Sequence, residues 1–485
     1  MRKLFFILFI ISLITACSGN KSISDKNLRV SENGRYLEYQ NGKPFIYLGC
    51  TAWELFHKLS REEATEYLLN RSGKGFTVIQ AVVLAELDGL KTPNFYGEIP
   101  LIDSDPAKPN EKYFEHVDYI VNQAEFLGLH IGMLPTWGDK VTNEHGGGGV
   151  IFNPENAKIY GEFLGKRYKD KPIIWILGGD RNVSNDNVFQ IWKAMAEGLR
   201  RGDEGNHLIS MHPRGEATSS TWFHNEEWLD FNIYQSGHAR KFNNVYDYAE
   251  HDYSLVPAKP FVDGEPAYED IAVKFWESCN WSEVLRVPSH VLDTNYMIID
   301  QSHFKEGFFT GYDVRVHAYW NFLSGACGYT YGNNAIWQMF RKGGSFAIPC
   351  LFDWRESMDR PGSDDIKHVR ALFESRTFAK LVPDQTIIVG ENPKDSTHIL
   401  AAVDSEGSFL IAYMALGQTV SINMEKLSGK TIKAYWFNPR EGIPIEIGEF
   451  NNEGVKSFAP PSSGADNDWI LVLDDAEVFE SFPGV

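Results

Sequence analysis

Among the 65 acidic residues of the chain, two stand in settings suited to paired carboxyl chemistry. Asp180 lies in Gly178-Gly179-Asp180-Arg181-Asn182, and Glu265 in Asp263-Gly264-Glu265-Pro266. Each follows an apolar run and is preceded by glycine, which lets the backbone turn sharply. Two carboxyl groups facing each other across a glycosidic bond can cleave it. One, protonated, gives its proton to the leaving oxygen; the other, ionised, attacks the anomeric carbon or activates a water. A separation of about 5–5.5 Å suits direct attack, and a wider gap suits water. Either acid alone is explained as well by a helix cap or an ion pair, and Arg181 offers Asp180 such a partner. The two together point to catalysis if the fold brings them face to face.

The elements predicted around them do so. From about residue 45, short apolar runs alternate with amphipathic stretches, the pattern of parallel strands joined by helices. Strands are predicted at 45–50, 76–84, 130–134, 173–177, 208–211, 229–234, 260–262 and 326–331. Helices are predicted at 61–70, 113–127, 157–168, 188–199 and 313–323, the first opened by a Ser60–Glu63 capping box. Eight strands in this order predict an α/β fold, a (β/α)8 barrel, over 29–379. Its active site then lies at the C-terminal ends of the strands. Asp180 follows strand four and Glu265 strand seven, across the mouth from each other. Trp276, Trp281 and 284–292 read as an elaborated loop and helix over that face.

The same rule picks out possible sugar contacts. They are Trp53 after strand one, Glu86 after strand two, and Trp137 and Asp139 after strand three. His212 follows strand five, Gln235 and His238 strand six, and Tyr331 and Asn333 strand eight. Hydroxyl-rich ligands need fixed donors and acceptors with aromatic platforms, although structural packing explains each residue singly about as well. Tyr268 and Glu269 are placed to orient Glu265. Asp313, Arg315 and His317 form either a polar network near strand eight or a solvated helix face.

Beyond about residue 380 the pattern becomes alternating strands at 387–389, 399–403, 409–414, 432–437 and 469–473, separated by turns. This predicts a small antiparallel β-sandwich over 380–485. The first 17 residues read differently. Arg2 and Lys3 precede an apolar run too short to span a bilayer, as in a secretory signal. The run ends in Leu13-Ile14-Thr15-Ala16-Cys17, which resembles a lipoprotein cleavage box with Cys17 as the acylated residue. With Ser18 rather than Asp next, and no early acidic cluster, the expected place is the outer membrane, facing the periplasm. Residues 18–28 serve as tether.

The formal charge of −19 repels phosphate backbones, so nucleic acid is not an expected partner. No His-x-x-x-His or cysteine cluster offers a metal site, and no phosphate loop or Gly-x-Ser-x-Gly elbow is present, so neither metal nor cofactor is expected. Cys50 and Cys327 sit in apolar runs as buried thiols. The chain is expected to act as a monomer.

Several stretches together resemble the apiosidase-like family of glycoside hydrolases, over nearly the whole mature chain. They include Gly49-Cys50-Thr51-Ala52-Trp53-Glu54-Leu55-Phe56, Leu134-Pro135-Thr136-Trp137-Gly138 and Trp175-Ile176-Leu177-Gly178-Gly179-Asp180-Arg181. Gly75-Phe76-Thr77-Val78-Ile79-Gln80, Tyr234-Gln235-Ser236-Gly237-His238, Asp263-Gly264-Glu265-Pro266-Ala267-Tyr268-Glu269 and Tyr329-Thr330-Tyr331-Gly332-Asn333 complete the set. Cys50 departs from the small or polar residue expected there. The resemblance implies Asp180 and Glu265 as the catalytic pair and a tail like the collagen-binding-like sandwich often attached to the family. It also implies release of apiose-linked side chains from the plant pectin rhamnogalacturonan II. By analogy with retaining barrel glycosidases, Asp180 is the general acid/base and Glu265 the nucleophile, with an inverting course left open. Arg181 favours an ionised Asp180 and so pulls against the acid role. Two further readings remain: the same fold acting on another glycan, and a non-catalytic glycan- or matrix-binding lipoprotein. The second leaves the acid pair unexplained.

Overall fold

The structure is a computed structural model that describes residues 26–144, 149–278 and 304–485. Cys17 and the predicted leader lie outside the described residues, as do Trp281 and 284–292. Among the described residues, no helix is long and apolar enough to cross a membrane.

Eight parallel strands form the barrel: β1 Tyr47–Thr51, β2 Val78–Leu84, β3 His130–Thr136, β4 Ile173–Gly178, β5 Ile209–His212, β6 Asn232–Gln235, β7 Phe261–Asp263 and β8 Gly328–Tyr331. Every residue of β2, β3 and β4 is buried, as expected for strands covered on both faces. Ladders join β5, β4, β3, β2, β1, β8, β7 and β6 in that order. The seam between β5 and β6 is held by other bonds. Asp230 N donates to Ile209 O at 2.9 Å, and Ser210 Oγ donates to Phe231 O at 2.6 Å. A ninth strand, Ala217–Thr218, pairs antiparallel with the end of β6 and diverts the seam there.

Around the strands run α1 Arg61–Gly73, α2 Glu111–Phe126, α3 Pro154–Tyr168, α4 Asp186–Asp203, α5 Val245–Ser254, α6 Gly311–Leu323 and α7 Pro361–Ser375. The Ser60–Glu63 capping box opens α1 as predicted. Strand alternation divides the apolar side chains into two cores. Tyr47, Val78, Val82, Ile174, Ile176, Ile233 and Val262 fill the barrel interior. Leu48, Cys50, Ile79, Trp175 and Met211 face the helices. Cys50, Cys327 and Cys350 are buried free thiols.

The C-terminal unit contains β9 Leu381–Pro383, β10 Ile399–Asp404, β11 Phe409–Met414, β12 Val420–Asn423, β13 Thr431–Asn438, β14 Ile443–Asn451, β15 Val455–Phe458 and β16 Trp469–Asp475. Six strands form one antiparallel sheet, ordered β9-β10-β11-β16-β13-β14, while β12 and β15 form a separate pair. Residues 387–389 are not the expected strand. Asp384 caps a 3-10 turn over Gln385–Ile387 by accepting from Thr386 N. Alternation again gives the large sheet two apolar faces. Leu410, Ala412, Trp436 and Leu471 pack against Val420, Ile422 and Phe458 of the small pair. Leu400, Ile411, Tyr413, Tyr435 and Val472 join the core of the barrel's outer layer.

An ionic cluster reinforces that contact. Arg315 of α6 binds Asp468 at 3.0 Å and Asp365 of α7 at 2.7 Å, and also pairs with Asp466. Tyr413 Oη donates to Asp468 Oδ2 at 2.9 Å. Arg315 and Asp468 are almost wholly buried, so this side of α6 is not a solvated face.

Candidate active site

The two acids sit on turns that the backbone defines tightly. Gly178, Gly179 and Asp180 have φ of +90°, +114° and +52°. A Cβ on Gly178 would stand 2.2 Å from His212 O, and one on Gly179 would stand 2.5 Å from the Trp137 ring. Gly179 N donates to His212 O at 2.9 Å, and Gly179 O accepts from Gly138 N at 3.1 Å. The turn is thus stitched to both neighbouring strand ends. Asp180 bears a left-handed conformation that glycine would adopt more easily, a strain found where a side chain's direction matters. On the opposite wall, Gly264 N donates to Tyr234 O at 2.9 Å and Gly237 N donates to Glu265 O at 3.1 Å.

These turns bring one carboxylate oxygen of Asp180, one of Glu265 and a ring nitrogen of His212 within 4.8 Å of one another. His238 Nε2 lies 3.2 Å from Glu265 Oε1, and His212 Nε2 lies 3.3 Å from Oε2. Tyr268 N donates to His238 Nδ1 at 3.4 Å, which leaves the His238 proton on Nε2, facing Glu265. Burial pushes the Glu265 carboxyl up, but the His212 and His238 contacts outweigh it and hold it down at about 2. Asp180 moves the other way, to about 6. Burial and then the Glu265 charge raise it, against smaller pulls from His212, Arg181 and a hydrogen bond from Gln235. Arg181 spends Nη1 on the backbone oxygen of Asp180 at 2.9 Å. Two carboxyls with opposed environments are the arrangement acid–nucleophile chemistry requires.

The Asp180–His212–Glu265 set also has the composition of a metal site. Burial lowers the pKa of His212, but Glu265 and Asp180 raise it further than burial lowers it. The same two carboxylates favour the imidazolium, and proton binding at His212 competes with cation ligation there.

Most of the other predicted residues gather here. Trp53 packs on Trp137 with ring centroids 5.2 Å apart and meets His212 edge-on at 5.5 Å. Its Nε1 donates to Tyr268 Oη at 3.1 Å. Glu86, half-buried, is raised to about 8 by burial and by the charges of Asp180 and Asp139. Asp180 Oδ1, Gln235 Oε1 and Trp137 Nε1 are buried polar atoms without a protein hydrogen-bond partner, as expected of groups kept for a polar ligand. Asp139 is buried against Lys140 Nζ at 2.7 Å, and that ammonium also holds Ala85 O at 2.5 Å. Asp139 is therefore a brace between two rim loops.

Tyr331 and Asn333 are corrected. Thr330 points into the barrel, where its Oγ1 accepts from Gln80 Nε2 at 2.9 Å. Tyr331 therefore points outward, donating to Glu269 Oε2 at 2.7 Å and packing near Phe76. Asn333 is buried; its Oδ1 accepts from Ala335 N at 2.9 Å and its Nδ2 donates to Asp270 at 2.9 Å. Both hold the turn after β8 and neither faces the mouth. Glu269, bonded to Tyr331 and to Gly362 N, also lies behind the site. Lys140 and Asp263 also support the site; the sequence marks Asp263 only by its place two residues before Glu265.

Comparison with known proteins supports the fold and the enzyme class. The family model described as "Apiosidase-like, catalytic domain" matches residues 31–380. A model described as the putative collagen-binding domain of a collagenase matches 382–474. No curated protein matches the chain. A solved structure titled "Glycoside hydrolase" is 34% identical, with 94% of this chain and 98% of that one covered and a TM-score of 0.81. A glycoside hydrolase family 5 structure from Bacteroides vulgatus is 33% identical, covering 95% of each chain with a TM-score of 0.81. A putative glycoside hydrolase from the same bacterium shares the fold at 13% identity, with 94% and 83% covered and a TM-score of 0.65. The first match spans both acids and the whole barrel that presents them, and the chain belongs to the apiosidase-like family of glycoside hydrolases.

Proposed function

We propose that the protein hydrolyses apiose-linked side chains of rhamnogalacturonan II by a retaining mechanism, with Glu265 as nucleophile and Asp180 as general acid/base. The observation that carries the mechanism is the approach of the two carboxylates within 4.8 Å. An approach this near between single oxygens favours the retaining separation of about 5–5.5 Å between carboxyl groups over the inverting gap of about 6.5–9.5 Å. The opposed surroundings of the pair support the roles. The family match supports the sugar.

A Glu265 oxygen attacks the anomeric carbon while Asp180 passes its proton to the glycosidic oxygen. The carbon–oxygen bond breaks and a glycosyl ester forms on Glu265. Water then attacks the same carbon, Asp180 takes up the water's proton, and the ester bond breaks to restore the Glu265 carboxylate. As Asp180 loses its proton in the first step, Arg181 and His212 help to stabilise the anion. Trp53 and Trp137 offer aromatic surface to the sugar, and Gln235 and Glu86 offer polar groups. The leader supports export as an outer-membrane lipoprotein acylated at Cys17, facing the periplasm, where it would act as a monomer.

The test is digestion of rhamnogalacturonan II and a panel of other glycans, with products identified by chromatography and the first-formed anomer followed by NMR. Release of an apiose-terminated oligosaccharide with retained configuration is expected. Release from another glycan alone would overturn the substrate, and inversion would overturn the mechanism. Binding without released sugar would favour a glycan-binding lipoprotein. Asp180→Asn and Glu265→Gln should each lower kcat by orders of magnitude while the protein stays folded; near-normal turnover in either refutes its role.

A further inference from the structure

The turn that carries Glu265 is held from behind by another buried carboxyl. Asp263 is the last residue of β7 and lies opposite Tyr234 of β6 and Tyr329 of β8. Val262 points into the barrel core, so alternation turns Asp263 outward, toward α6. Its side chain is wholly buried, away from the mouth.

Its hydrogen-bond partners are all donors. Ser236 Oγ donates to Asp263 Oδ2 at 2.6 Å, and Ser236 N donates to Oδ1 at 3.3 Å. The Asn321 side chain of α6 and the backbone of Glu265 lie beside the same carboxyl and favour its anion. Ser236 is fixed in turn, because its carbonyl accepts from Asn243 Nδ2 at 2.6 Å. Asn321 accepts from Tyr234 Oη and donates to His317 O at 2.8 Å. One carboxylate thus joins the turn after β6, which leads to His238, to the turn after β7, which holds Glu265. Burial makes the anion costly and raises the carboxyl to about 7. Ser236 engages both oxygens of this acid, its hydroxyl on one and its backbone N–H on the other, so the side chain at the end of β7 is tied to the turn after β6 at two points.

We propose that Asp263 is a positioning residue that locks these two turns together and so fixes the hydrogen bond between His238 and Glu265. The inference rests on Glu265 being the nucleophile. If the lock loosens, His238 and Glu265 move apart, and the nucleophile loses both its aim and a bond that keeps it ionised.

Asp263→Asn keeps the shape but turns an amide N–H toward donors. Expected is a fall in kcat of about 10- to 100-fold, as for an ångström-scale misplacement of a reacting group, with KM changed by less than about two-fold. The acidic limb of kcat/KM should also move to higher pH. Ser236→Ala removes the 2.6 Å donor and leaves the acid in place. It should show a smaller fall of about 3- to 10-fold with the limb moving the same way, and it serves if the first variant does not fold. A purely structural acid would lower Tm in these variants while leaving kcat and the limb within about two-fold of the parent, which overturns the proposal. Glu265→Gln is assayed alongside. Activity in that variant overturns the nucleophile itself, whereas an inactive Glu265→Gln beside a fully active Asp263→Asn overturns only the lock.

Discussion

His238 offers a direct way to test why Glu265 is ionised. Glu265 is buried, and burial alone would push its carboxyl above the ordinary 4.5. It stands instead at about 2, held by contacts with His212 and His238 at 3.3 and 3.2 Å. His238→Ala removes one of the two and leaves burial acting as before. The carboxyl should rise, and each pH unit of that rise is worth about 1.4 kcal/mol. The sign follows from the role: the nucleophile works only as the anion, so activity is lost as pH falls through its pKa. The parent should keep its acidic limb near pH 2, beyond the range where most folds survive, and so show none above about pH 3.5. The variant's limb should move up into the accessible range, with kcat/KM at pH 3.5 lower than at pH 5. His238→Gln can still present an N–H and should fall between the two. The assay is kcat/KM against pH on the glycan that gives turnover, with folding at each pH checked by circular dichroism. A 13C carboxyl titration of Glu265 reads the same quantity without turnover. An acidic limb at the same pH in His238→Ala and the parent would refute the assignment.

Other outcomes follow from neighbouring features. Asp180 donates only while protonated and its carboxyl is raised to about 6, so kcat/KM should fall as pH rises through 6 to 7; a rate flat to pH 9 would remove it as the acid. Arg315→Ala leaves Asp365 buried without its cation and Asp468 with Arg440 alone, and should cost about 3–5 kcal/mol, measured by urea unfolding. Tyr331→Phe should lower stability by about 1–2 kcal/mol through loss of the bond to Glu269. It should leave KM unchanged; a marked rise in KM would return Tyr331 to the sugar site.

The barrel was legible because its strands, covered on both faces, appear as short apolar runs between amphipathic helices. The acids were legible because the strand-end rule narrows many carboxyls to a few places. Side-chain direction was harder to read. In Gly328–Tyr331 both faces are buried, so no polar–apolar alternation marks the parity, and Tyr331 could be assigned to either side. Asn333 has the type and position of a sugar contact but serves as a helix cap. Arg315 looked like part of a polar helix face because the sheet that covers it lies about 150 residues later in the chain. The pairing of His238 with Glu265 depends on a turn whose geometry appears only when β6 and β7 stand side by side.

Among the described residues, the central strands of the large C-terminal sheet are covered on both faces: one side rests on its own strand pair and the other on the barrel's helices. A gene shortened near residue 380 would leave an oily wall on the barrel and an arginine with Asp365 alone of its three carboxylate partners. Carbohydrate-binding modules tethered by flexible linkers can be lost or exchanged without disturbing the enzyme beside them. Here such an exchange would have to bring a matching surface for α6 and α7. The two parts are therefore expected to descend together, and grafting this sheet alone onto another enzyme should give an insoluble product.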